Sequence, residues 1–163
     1  LEQNQDKINW HALSKNPNAI SLLEQNLDRV DWYSLSLNPN AMHLLEQNPD
    51  KINWRALSLN PNALSILEKN QDKINWSELS TNPNAISLLE QNLDKINWVY
   101  LALNPNAIEL LSNEIKKNPY QIDWWHLSAN TNADSIFEKN QDKIVWCNFS
   151  RNPCIFEEDY LCK

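Results

Sequence analysis

Apolar side chains return along this chain with two nested periods. Within each stretch they stand one, three or four residues apart, as Trp10 and Leu13 and then Ala19, Ile20, Leu22 and Leu23, the spacing that lines one face of a helix. The whole pattern then recurs. Tryptophan stands at positions 10, 32, 54, 76, 98, 124 and 146, twenty-two residues apart with a single spacing of twenty-six. A short helical unit cannot bury its own apolar face, so units repeated at a fixed period stack on their neighbours. The expected fold is all-α, a solenoid of tandem 22-residue helix-turn-helix repeats.

Asn9 to Val30, NWHALSKNPNAISLLEQNLDRV, serves as the type unit. Asn9 predicts an N-cap for a first helix carrying Trp10 and Leu13 on one face, with Ile8 placed to staple against Leu13. That helix has to stop near Lys15, because Asn16 precedes Pro17 and a residue before proline is pushed out of the helical region. Asn16 then predicts the cap of a second helix with proline at its first position, where the missing N–H has no intrahelical partner. The recurring alanine keeps one contact small enough for close helix approach. The chain has no glycine, so Asn26, Asn48, Asn70, Asn92, Asn118 and Asn140 are expected in the left-handed slot that ends a helix. Asp28-Arg29, echoed by Asp50-Lys51, Asp72-Lys73 and Asp94-Lys95, is read as shaping the loop between repeats. The tryptophans, tied by spacing to the Leu13-type and Ile8-type residues, are expected in the core.

The one irregular spacing comes from SNEIKK between Leu111 and Asn118, four residues more than other copies hold there. Four residues make about one helical turn, so the second helix is expected to be longer, with Ile115 extending its apolar stripe. The expected organisation is a single repeat domain over residues 1–163. Residues 1–9 are the tail of an upstream repeat, 10–145 six repeats, and 146–163 a C-terminal capping repeat. Thr131, Asp134 and Glu158-Asp159 depart from the repeat pattern in the way a terminal unit without an outer neighbour would. LEQNQDK at the start, with no initiator Met, reads as part of a longer chain.

The unit INWxxLSxNPNAIxLLExNxDK, as in INWSELSTNPNAISLLEQNLDK, resembles short tandem repeats of uncharacterised proteins from giant DNA viruses. The resemblance covers Leu1 to Pro153 and implies a viral protein in the host cell, with no catalytic residues to carry over.

Composition narrows the function classes. A formal net charge of −7 opposes broad affinity for nucleic acid or anionic membranes, which needs clustered Lys and Arg. Without an apolar run of membrane-spanning length or a signal sequence, a soluble intracellular protein is expected, in the host cytoplasm or the virion if viral. Cys147, Cys154 and Cys162 match no metal-ligand spacing and are expected as free thiols. His11, His43 and His126 fall at three different repeat positions, so no catalytic, metal or cofactor site is expected.

Function is therefore sought where the copies differ, one, two and five residues after each Trp. At about 100° per residue these slots lie away from the Trp/Leu face, forming a ribbon on the first helices. Tyr33, Leu37, Arg55, Leu59, Val99, Tyr100, Leu103 and Trp125 make it rich in the residue types that anchor protein interfaces. The expected function is a non-catalytic scaffold for protein–protein interaction, or alternatively a structural protein that self-associates into dimers or head-to-tail stacks.

Overall fold

The computed structural model describes residues 6–152, and within them every regular element is helical. Each repeat opens with a Trp-led first helix, and a second helix follows it in every repeat up to α12. These are α1 Trp10–Lys15, α2 Ile20–Glu24, α3 Trp32–Leu37, α4 Met42–Gln47, α5 Trp54–Leu59, α6 Leu64–Glu68 and α7 Trp76–Thr81. The series continues with α8 Ile86–Glu90, α9 Trp98–Leu101, α10 Ile108–Lys117, α11 Trp124–Leu127, α12 Asp134–Phe137 and α13 Trp146–Phe149. The fold class is a helical repeat solenoid. The chain divides into two compact units, 1–79 and 80–163. In the first, α1 packs on α3 and α3 on α5. The C-terminal Glu158-Asp159 pair, Cys154 and Cys162 lie outside the described residues, and Cys147 is an exposed free thiol.

The first helices start where the sequence predicts. Asn9 Oδ1 accepts from the Ala12 N–H, and Asp31, Asn53, Asn75, Asn97 and Asp123 cap α3, α5, α7, α9 and α11 in the same way. These bonds satisfy amides that have no partner inside the helix. The second helices begin later than expected, at Ile20-type residues, with alanine rather than Asn16-type asparagine at the cap. Asn-Pro-Asn-Ala instead folds as its own turn. Asn38 Oδ1 accepts from the Asn40 N–H, while the Asn38 carbonyl accepts from Ala41, and Asn60 and Asn104 repeat the arrangement. Such an asparagine turn competes with helix at this point, and it wins because the other end of the side chain is also held.

That other end makes an asparagine ladder. Asn38 Nδ2 donates to the carbonyls of Ser14 and Asn16 in the preceding repeat, and Asn60 to those of Ser36 and Asn38. In the second unit Asn104 reaches Ser80 and Asn82, Asn130 reaches Ala102 and Asn104, and Asn152 reaches Asn130. These asparagines are buried, so each amide meets carbonyls that water does not reach. A parallel serine track joins the same neighbours: Ser36 Oγ donates to the Trp32 carbonyl and accepts the Asn53 N–H, and Ser58 does the same with Trp54 and Asn75. Each unit has an apolar core of the same kind, with Leu35, Leu57 and Leu79 buried in the first and Leu101 and Leu127 in the second, together with the alanines and Leu23-type residues.

Two further expectations are corrected. No described residue has a positive φ. Asn48, Asn70, Asn92 and Asn140 end their helices on the extended side, φ −129 to −138°, and act through their side chains. The Nδ2 groups of Asn26, Asn48, Asn70, Asn92 and Asn140 donate to the carbonyl four residues back, as Asn92 does to Leu88 at 2.9 Å. Asparagine is thus a polar helix stop rather than a substitute for glycine, and the Asp-Lys segments that follow coil into single 3₁₀ turns such as Gln71–Lys73. Asn92→Gly is accordingly expected to destabilise by about 1 kcal/mol, the worth of one net hydrogen bond plus backbone freedom. Urea unfolding checks this; a gain in stability would point to a left-handed residue instead.

The tryptophans are not core. Trp10, Trp32, Trp54, Trp76, Trp98 and Trp124 are half-buried and Trp146 is exposed. An indole is too large for the close space between helices that leucine and alanine fill, so it lies across the rim. There Arg29 stands 5.3 Å from the Trp10 ring centroid and Lys73 4.9 Å from that of Trp54, a cation over a π face. The insertion behaves as its length predicts: α10 has 10 residues against 4 to 6 in the other second helices, and Ile115 is half-buried on it.

Candidate interaction surface on the first helices

Side-by-side packing of first helices sets what the variable slots can do. The slot one residue after Trp points toward the slot two residues after Trp in the next repeat. In the first unit, Arg55 Nε donates to Glu78 Oε1 at 2.8 Å, and His11 Nδ1 contacts both Asp31 Oδ2 and, at 3.0 Å, Ser34 Oγ. In the second unit Asn148 Nδ2 donates to the Trp125 carbonyl. The second slot therefore turns partly inward, with Ser34 and Ala56 fully buried. The ribbon is narrower than the sequence implies.

The remaining ribbon residues separate by unit. In the first, Tyr33 is exposed, Leu37 and Leu59 are half-buried, and Arg55 is exposed but ion-paired to Glu78. In the second, Val99, Tyr100, Leu103 and Trp125 are each 40–51 % exposed. Three large apolar side chains on two short helices, α9 and α11, with Leu103 in the turn that follows α9, depart from the polar face a solvated helix normally shows. Tyr100 occupies the slot that Ala56 buries, because an aromatic ring does not fit where a methyl group does.

Sequence spacing missed the meeting of His11, Asp31 and Ser34. The signal was a separation of about one repeat between His11 and Asp31 and one repeat plus one residue between His11 and Ser34. Both partners approach the same ring nitrogen, whereas a catalytic triad uses one nitrogen for the acid and the other for the hydroxyl. Asp31 Oδ1 meanwhile accepts from the Tyr33 and Ser34 N–H groups at the start of α3. The cluster joins helix capping to repeat packing. Partial burial opposes ionisation of Asp31, but the His11 and Ser34 hydrogen bonds outweigh it and hold the carboxyl below its ordinary value. A carboxyl with a lowered folded-state pKa contributes stability above its ordinary value of 3.8 and loses that contribution as pH falls through the lowered one. Asp31→Asn is therefore expected to flatten the acid limb of the stability profile. Thermal unfolding from pH 6 downward to about 2 checks this, and parallel profiles for the two chains would refute it.

Asp123 and His126 form a related pair, Oδ2 to Nδ1 3.1 Å, at the start of α11. Burial again opposes ionisation of Asp123, and the His126 backbone and ring bonds again overcome it. Among the described residues no group of three or more His, Cys, Asp or Glu could hold a metal ion, and no helix is long and apolar enough to cross a membrane. No family model, curated protein or solved structure matches the chain.

Proposed function

We propose that this chain is a non-catalytic repeat scaffold that binds a protein partner through the first-helix ribbon. The observation that carries the reading is the exposure of Val99 and Tyr100 on α9, Leu103 in the turn after it, and Trp125 on α11. Exposed aromatic and aliphatic groups on a rigid frame lose little conformational freedom on binding, which is why Tyr and Trp dominate interface energetics. In the first unit Tyr33 on α3 is a further exposed aromatic of the same slot, while Leu37 and Leu59 are half-buried. The net charge of −7 supports a protein partner over nucleic acid. The resemblance to giant-virus repeats favours a partner inside a host cell.

The test is a Tyr100→Ala/Trp125→Ala chain beside the native one in pull-downs from expressing cells. Unchanged helical circular dichroism with loss of specific partners is the expected result, each exposed aromatic accounting for about 1–2 kcal/mol or more of binding. Retention of the same proteins by both chains would refute the reading. Sedimentation of the isolated native chain tests the alternative: a concentration-dependent rise in mass, abolished by the same substitutions, would reassign the ribbon to self-association.

A further inference from the structure

The four-residue insertion resets the charge around one tryptophan. In six copies the stretch leading up to the repeat tryptophan holds Glu eight residues and Asp four residues before it, and the nine residues that end on the tryptophan, such as 46–54, carry a formal charge of −2 to 0. Residues 116–124 depart from all of them. Lys116 stands in the Glu position and Tyr120 in the Asp position, and two lysines against Asp123 give the stretch +1. The backbone there is the ordinary one: α10, like α4, runs to the residue before an asparagine, and a 3₁₀ turn opening on proline follows, Pro119–Gln121 as Pro49–Lys51. A change of charge has therefore been placed on an unchanged frame.

Beside this turn lies a cleft of about 390 Å³ lined by Pro119, Tyr120, Ile122, Trp124 and Lys143. Its counterpart at Trp54 is about 170 Å³ and has Glu46 in its wall, the residue that Lys116 replaces in register. Tyr120 is 97 % exposed, a ring held in water where other copies hold a carboxylate. The carboxylates that remain nearby are engaged, Asp142 with Lys143 Nζ at 2.9 Å and Asp123 with His126 and the start of α11. Lys117 lines the neighbouring cleft at Trp98 with Glu90 and Glu114, which leaves Lys116 and Lys143 as the cations for this one. In a chain of net charge −7, an acidic ligand is repelled by most of the surface and drawn to a place where the sign reverses. We propose that the Trp124 cleft receives an acidic segment of a protein partner, with an apolar or aromatic side chain against Tyr120 and Trp124 and flanking carboxylates facing Lys116 and Lys143. The cleft shares no residue with the ribbon of Val99, Tyr100, Leu103 and Trp125, so either can fail without the other.

The test uses the full chain labelled with ¹⁵N, following the Trp124 indole N–H signal, identified by its loss in Trp124→Phe. The probes are the blocked peptide acetyl-Glu-Glu-Phe-Glu-Glu amide, its counterparts with Gln or Lys in place of Glu, and a short oligothymidylate. The acidic peptide is expected to shift that signal saturably, and the Gln peptide to bind about tenfold more weakly. Lys116→Glu/Tyr120→Asp, which restores the residues that the other copies hold, should weaken the acidic peptide by about tenfold or more at low salt. No shift in the native chain, an equal response to the Gln or Lys peptide, or unweakened binding in the double variant would each overturn the proposal. An equal response to oligothymidylate would assign the cleft to nucleic acid, and binding seen only in a Glu157→Gln/Glu158→Gln/Asp159→Asn chain would assign it to the chain's own acidic segment; either result overturns it too. The probe comparison in the unaltered chain decides even where the double variant fails to fold.

Discussion

Asn104→Ala is expected to lower stability by about 3 kcal/mol, more than its modest apolar volume suggests, because three hydrogen bonds end on one side chain. Its Nδ2 donates to the Ser80 and Asn82 carbonyls at 3.0 and 2.9 Å, and its Oδ1 accepts from Asn106 at 3.0 Å. Asn104 is fully buried, so alanine leaves these groups of the preceding repeat and the turn without water in their place. The penalty is chiefly that of stranded partners, and leucine, closer in size, should not recover it. For a chain of this size the loss corresponds to roughly 6–12 °C in Tm. Calorimetry or urea unfolding of both variants decides the matter; a change below about 1 kcal/mol would make the ladder incidental to stability.

Leu57→Ala is the second large effect. Leu57 on α5 has no exposed surface, and removing a fully buried leucine deletes transfer energy and leaves a cavity, about 3 kcal/mol or more. The half-buried Leu59, two residues on in the same helix, should cost only about 1 kcal/mol on the same substitution. Measured by denaturant unfolding, the pair tests whether the Leu13-type slot, rather than the variable slot, faces the core. Equal losses would place both inside and remove Leu59 from the ribbon.

The repeat, its helices, the asparagine and aspartate starts of the first helices and the lengthened α10 were legible because each rests on local rules: apolar periodicity, capping and proline; the alanine starts of the second helices were not. The roles of the two asparagine classes were not. Asn38-type side chains act on carbonyls one repeat away, and nothing within a 22-residue window shows that bond. Asn92-type residues look the same in sequence whether they adopt a left-handed backbone or donate from the side chain. The tryptophans were misplaced because regular recurrence marks a structural role without saying whether the ring is enclosed. The ribbon was partly legible: spacing picked out Val99, Tyr100, Leu103 and Trp125, but it could not show that Ser34 and Ala56 lie under the next helix or that Arg55 is engaged by Glu78.

The ladder also has a direction. The amides of Asn38, Asn60, Asn104, Asn130 and Asn152 all donate backward, to carbonyls of the repeat before, and the carbonyls of Asn38, Asn104 and Asn130 are in turn presented to the repeat after. A repeat therefore arrives with one donor set and one acceptor set, like a link with a hook and an eye. The four extra residues of α10 lengthen the path between Asn104 and Asn130, yet both bonds from Asn130 form at 2.9 Å. Such a chain can lengthen, shorten or absorb insertions by duplication of whole units without redesign of any junction, which leaves the residues between the links free to diversify.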